Sequence, residues 1–313
     1  MTPQQLFNAI FNASLVVMIL TVVAGLGLSL TLHQILGPLH RVRVLVATVI
    51  ANSLLAPFIA IGFCHLFPLS SEARVGVELA AMGAAGPVGM KAAQLTKRAD
   101  MAMAVSFTVA LQLVNIVALP LFAKKITTGA TVDPWTLVKD LLLLVLAPLV
   151  IGQILRARYP DHAEGWQAGL EKTSNIALLL VIAVGLAANW SLLVSALGSW
   201  VLAASAVIVV AIMVVGYVAG RVGDRRSAIT ISVMSGMRFT PAGLIVIATV
   251  LNNEGAYLIP ALIFSLFATV IPLGAGIEIG RAGGKHPDIT AETGASSPAA
   301  TTGSAPAAAG GSA

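Results

Sequence analysis

From Ala9 to about residue 280 the chain is a succession of apolar runs, each near the roughly 20 residues a helix needs to cross a bilayer core. Short charged or Gly/Pro-containing breaks separate them. In hydrocarbon every backbone polar group must be satisfied internally, which leaves helices and closed barrels, and continuous runs of this length without two-residue alternation fit helices. The sequence therefore predicts an all-α membrane protein with about nine spans, at about 9–30, 43–66, 75–97, 101–123, 135–155, 171–189, 195–219, 227–251 and 256–280. Composition agrees, with 58% hydrophobic and only 10% charged residues. Residues 1–282 read as one membrane-spanning domain, and residues 283–313, which include TGASSPAATTGSAPAAAGGSA, read as a disordered cytoplasmic tail because they cannot bury a core.

The opening MTPQQLFNAIFNAS has no basic n-region and no small-residue cleavage site, so it is read as the start of the first helix. Arg41, Arg43, Lys97, Arg98, Arg156, Arg158, Arg221, Arg225 and Arg226 fall in loops on one side, against Arg74, Lys124, Lys125 and Lys139 on the other. The positive-inside rule then places the N-terminus outside and the C-terminus in the cytoplasm, consistent with a bacterial inner membrane. The net charge of +5 resides in those loops, so no nucleic-acid partner is expected. The single cysteine, Cys64, cannot form an internal disulfide.

Two strings break the apolar pattern. Gly89-Met90-Lys91 and Gly236-Met237-Arg238 each place a cation inside a segment long enough to span. A charge near a membrane midplane costs about 2.5–3.5 kcal/mol on insertion scales and is retained against a partner or a watery cavity. Both strings lie among helix breakers, AAGPVGMKAA in the third span and SVMSGMRFTPAGL in the eighth. Pro87 and Pro241 supply no backbone N–H, and Gly86, Gly89, Gly236 and Gly243 accept angles other residues resist. The third and eighth spans run in opposite directions, so breaks at matching positions predict two inverted repeats whose discontinuous helices cross near the midplane around a binding site. Half-helix N-termini there favour an anion.

Arg238 and Lys91 are the leading site residues, with the adjacent Met237 and Phe239. Each has a competing structural reading. Arg238 could pair with a carboxylate or backbone carbonyls for structure alone, and Lys91, near Lys97 and Arg98, could extend to the surface. Glu78, Asp140 and Glu278 offer no obvious midplane acid, and Glu278 lies near Arg281. Asn52, five residues before Pro57, and Thr108 could bond a substrate or unwound backbone, while Asn12, Gln112 and Asn115 read as packing polars. His65 stands alone beside Cys64, and neither a metal-ligand pattern nor a nucleophile-base pair is visible. No enzyme activity, metal or cofactor is expected, apart from a weak sodium site at Asn52 and Thr108.

The GLGLSL end of the first span, Asn52 to Pro57, the break in the third span followed by Arg98-Ala99-Asp100, and the SGMR string of the eighth together resemble landmarks of the bile acid:sodium symporter family. That family sits within the larger group of bile acid, arsenite and riboflavin transporters. The resemblance implies nine spans with breaks in the third and eighth. It also implies sodium sites from a Ser-Asn pair, hydroxyls in the following helix, a Gln before the second-span proline and a Glu-x-Gly-x-Gln-Asn string. Here those positions fall on Met90 and Lys91, on Ala104 and Thr108, near Asn52, and on Met234, Arg238 and Phe239. Sodium wants hard oxygen ligands, which methionine, alanine and phenylalanine do not supply, and fixed cations repel it. The expectation is a secondary transporter of a small organic anion, working by alternating access, with weakened or absent sodium dependence. A sodium-coupled symporter, a membrane receptor and an intramembrane enzyme are the rivals. Oligomeric state is not readable.

Overall fold

The structure, a computed structural model, describes residues 3–29, 42–84, 88–126, 139, 143, 146–188, 190–251 and 254–283. Its elements are all helices: α1 Pro3–Ser29, α2 Val42–Leu66, α3 Ser71–Met82, α4 Val88–Leu95, α5 Met101–Ile126 and α6 Ala147–Arg158. They continue as α7 Pro160–Ala188, α8 Trp190–Leu197, α9 Val201–Gly220, α10 Arg225–Gly236, α11 Thr240–Val250 and α12 Gly255–Gly283. Among the described residues, four stretches are long and apolar enough to cross a membrane: Val42–Leu66, Pro160–Gly185, Val201–Gly220 and Gly255–Ala282. Large apolar side chains such as Leu179, Val214, Leu266 and Val270 stay exposed, a surface that suits contact with lipid rather than water.

The third and eighth expected spans are each two short helices. α3 is opened by Ser70, whose Oγ accepts from Ala73 N at 3.2 Å, and α10 by Asp224, whose Oδ1 accepts from Ser227 N at 2.7 Å. Side-chain acceptors of this kind satisfy orphan N–H groups of the first turn. α3 stops at Met82 and α10 at Gly236; Met237 is extended, and α11 restarts at Thr240 with Pro241 in its first turn. Proline is tolerated there because that N–H has no intrahelical partner in any case. Pro241 thus opens the second half-helix instead of kinking an intact one.

Other boundaries moved. The sixth span was expected from about residue 171, but α7 begins at Pro160, about three turns earlier. The early part of the fifth span and most of the 283–313 tail lie outside the described residues, while Gly283 ends α12. The Arg98-Ala99-Asp100 step is a junction: Asp100 Oδ1 accepts from Met103 N at 3.1 Å, starting α5, and Asp100 N donates to Thr230 Oγ1 of α10 at 3.0 Å.

Packing divides the helices into two groups. α1 lies against α6 and α7, whereas α3 packs on α2, α11 and α12, α10 packs on α9, and α4 packs on α5, α10 and α12. α3 and α11 approach closely, and a Cβ at Gly243 would collide with the Leu79 carbonyl oxygen and Ala80 Cα. A glycine there lets the first half of one broken helix lie backbone to backbone against the second half of the other.

Candidate functional site

The two breaks touch. Phe239 N donates to Gly83 O at 3.1 Å and to Ala84 O at 3.3 Å, and a Cβ on Gly83 would overlap the Phe239 carbonyl oxygen. On the other side of the crossing Asn115 of α5 receives Ala84 N on its Oδ1 at 3.0 Å and donates to Ala84 O at 3.5 Å. Asn115, expected to be a packing polar, therefore stands in for the helical partners that Ala84 lost when α3 ended.

Arg238 lies at this crossing and is 6% exposed. Its Nε donates to Ala81 O at 2.8 Å, Nη2 to Met82 O at 3.2 Å and to Asn52 O at 3.1 Å, and Nη1 to Asn52 Oδ1 at 3.2 Å. Local structure explains why those oxygens are free. Ala81 and Met82 are the last residues of α3, whose terminal carbonyls have no intrahelical donor and carry the negative end of the helix dipole. Asn52 lies in a π-helical turn, Ile50–Leu55, and Ala56 N donates back to Ala51 O, so the Asn52 carbonyl is released from the ladder. Pro57, which cannot donate, follows at once. The Asn52 amide nitrogen bonds Ser235 Oγ at 2.9 Å and Thr48 O at 3.1 Å, completing the clasp between α2 and α10.

Four of the five guanidinium N–H groups are thus bonded to protein oxygen, none of it from a carboxylate. With those bonds made, a bidentate grip by Arg238 on a bound anion is not available in this conformation. The reason is geometric: one arginine reaches three free backbone carbonyls on two segments, the end of α3 and the π-helical turn of α2, at once and satisfies them.

A cavity of about 500 Å³ opens beside the crossing, bordered by α1, α4, α7, α12 and the Met237-to-Pro241 segment. Lys91 lines it from α4, and Lys91 Nζ lies 3.1 Å from Glu171 Oε2 of α7, with the two side chains 46% and 42% exposed. Lys91 therefore turns toward the cavity and a partner. Glu171 belongs to a polar row, Gln167, Glu171, Ser174 and Asn175, that runs along α7 into the cavity, faced by Ser265 and Thr269 of α12 and Thr21 of α1. Met237, Arg238, Phe239, Pro241 and Gly89 also border it.

The remaining expected residues lie elsewhere. Asn52 is buried under Arg238 and does not line the cavity, and Thr108 is fully buried, its hydroxyl donating to Ala104 O of the preceding turn at 2.9 Å. Gly89 is inside α4, Gly236 is the last residue of α10 packed against Met213 and Pro272, and Gly243 is inside α11. None of these glycines is unwound; at the two breaks the described unwound residues are Gly83, Ala84 and Met237 to Phe239. Gly86 and Pro87 lie outside the described residues, as does Asp140. Glu278 pairs with Arg281 at 2.9 Å, as their spacing suggested. Glu171 and its row were missed because α7 was expected to begin there. The i, i+4, i+8 spacing of Gln167, Glu171 and Asn175 was the signal that marks one helical face.

A sequence profile of the SBF-like CPA transporter family matches residues 4–272, nearly the whole of the helical region. This chain belongs to that family. The assignment makes the protein one of a family of transporters, related to the bile acid:sodium symporters, and with the apolar helices above it an integral membrane protein. A search of curated proteins found no match.

Proposed function

We propose that this transporter is a secondary carrier of small organic anions whose binding site is the cavity beside the two crossed breaks. The observation that carries the reading is the division of labour between its two intramembrane cations. Lys91 is half-exposed in the cavity, where it can meet a ligand, while Arg238 is buried against Ala81, Met82 and Asn52 oxygens. An oxygen cluster of that kind would otherwise suit a small hard cation. The guanidinium takes its place as a covalently attached charge, which supports transport with little or no dependence on sodium. Lys91 supplies the anion contact, Met237 and Phe239 the apolar wall, and Ser265, Thr269 and Asn175 polar contacts for the rest of the molecule. Access alternates as the group of α1, α6 and α7 rocks against the remaining helices, in an inverted-repeat scaffold of about nine spans with the C-terminus cytoplasmic.

A sodium-coupled version would use backbone carbonyls with Asn52 and Thr108. It is less well supported, because both Asn52 oxygens already accept from Arg238, and Thr108 is fully buried and does not border the cavity. The test is uptake of a panel of carboxylates, sulfonates and sulfates into proteoliposomes, each run in sodium and in choline. Anion uptake that differs by less than about twofold between the two is the expected result. Strong stimulation by a sodium gradient would remove the sodium-free part, and flux of none of the anions would remove the substrate class.

A further inference from the structure

We propose that Glu171 is a built-in surrogate ligand: its carboxylate holds the anion position at Lys91 while the cavity is empty, and an entering anionic group displaces it. The proposal rests on the anion-carrier reading and adds to it both a specificity element and a latch. Three observations lead to it. First, the pair bridges the two groups of helices, since Glu171 is on α7, which packs with α1 and α6, and Lys91 is on α4, which packs with α5, α10 and α12. Opening the cavity between the groups must part Glu171 from Lys91.

Second, both side chains are nearly half exposed, so water reaches the pair. Such a pair is held weakly and exchanges its partner readily, in contrast to a desolvated one. Arg238 cannot exchange in this way, because its bonds tie down frayed backbone. Third, Gln167 Nε2 lies 3.5 Å from Glu171 Oε1, one turn along α7, so a displaced carboxylate keeps a donor on its own helix.

The chemistry of exchange is simple. Lys91 presents three ammonium donors without the planar fork of arginine, so it accepts a carboxylate, sulfonate or sulfate group with little preference of shape. While the cavity is empty, Glu171 cancels the Lys91 charge and stands in for the missing ligand across the gap. When a singly charged anion takes Lys91, the Glu171 negative charge is released to water and α7 is no longer held to α4. Specificity follows from the same arrangement, because a cation or a neutral molecule of equal size cannot replace the carboxylate.

The experiment uses the full chain with its one cysteine moved: Cys64→Ala removes the native thiol, and Asn175→Cys places one in the cavity, one turn from Glu171. Rates of modification by a sulfonate-bearing and a trimethylammonium-bearing methanethiosulfonate reagent are compared. Glu171→Gln is expected to raise the anionic-to-cationic rate ratio about hundredfold, about tenfold for each reagent in opposite directions, the effect of one unit charge about 8 Å away at an effective dielectric near 30. Lys91→Gln is expected to lower it by a similar factor, and the double variant to return it toward the starting value. Naphthalene-2-sulfonate is the competing probe. Half-protection should need about tenfold less of it in Glu171→Gln than with Glu171 present, and protection should vanish in Lys91→Gln. Glu171→Ala, with the same expectation, serves if Glu171→Gln is not monodisperse in detergent.

Rate ratios unmoved by Glu171→Gln, or equal protection with and without the carboxylate, would overturn the proposal. Labelling does not require flux, so the two readings fail separately. Ratios that shift as stated in a protein that carries no organic anion would sink the function and leave the latch, whereas anion uptake with unmoved ratios would do the reverse.

Discussion

Replacing Arg238 by methionine keeps much of the side-chain length and removes every donor. Three backbone carbonyls, Ala81 O, Met82 O and Asn52 O, then lose a guanidinium bond in a site only 6% exposed, and Asn52 Oδ1 loses a fourth. Orphaning a buried polar group costs about 1–3 kcal/mol. Taking the low end for the three carbonyls, and allowing Asn52 Oδ1 to turn to another donor, gives about 3 kcal/mol. Part of this is offset because the variant no longer desolvates a charge, which in buried sites can cancel much of the gain. The net expectation is a loss of about 2–3 kcal/mol, which for a chain of this size lowers the melting temperature by roughly 3–5 °C. Thermal unfolding of purified protein in detergent, followed by tryptophan fluorescence, reads the shift. Arg238→Lys should fall between the two, since an ammonium on a shorter reach cannot serve all four oxygens. A methionine variant as stable as the parent, or more so, would refute the clasp. It would mean that the charge is kept at the expense of stability and that the carbonyls are satisfied by water.

Gly83→Ala should be destabilised, because its Cβ meets the Phe239 carbonyl, which is backbone and cannot swing aside; overpacking of this type costs about 1–3 kcal/mol, and a drop of about 2–5 °C in melting temperature checks it. Asn115→Leu removes the acceptor for Ala84 N and a donor to Ala84 O, so a loss of about 1–3 kcal/mol is expected. In that variant, faster amide exchange at Ala84 than at mid-helix Val77, read by mass spectrometry, would place the damage at the break; unchanged exchange would argue that Asn115 serves packing alone.

Much of the scaffold was legible because its causes are local. Pro241 interrupts the eighth span because it supplies no N–H, and a cation six residues before Lys97 can be recognised as anomalous on hydropathy alone. The role of each polar residue was harder. Thr108 and Asn115 differ little in sequence context, seven positions apart on α5, yet Thr108 bonds only the turn before it and Asn115 holds the broken end of α3. Glu171 was overlooked because the amphipathic first turns of α7 read as loop when judged by hydropathy.

By itself the sequence determined that the chain builds membrane-length helices, that the third and eighth are interrupted near Lys91 and Arg238, and that no acid lies close by in sequence to neutralise them. Those features depend on composition and on the backbone chemistry of proline and glycine over a few residues. Which charge is structural and which is available was decided by tertiary structure alone. Arg238 met frayed carbonyls from α2 and α3, segments 186 and 157 residues distant in sequence, and Lys91 met a carboxylate on α7. Electrostatic partnership depends on separation in space, and only the folded chain sets that separation.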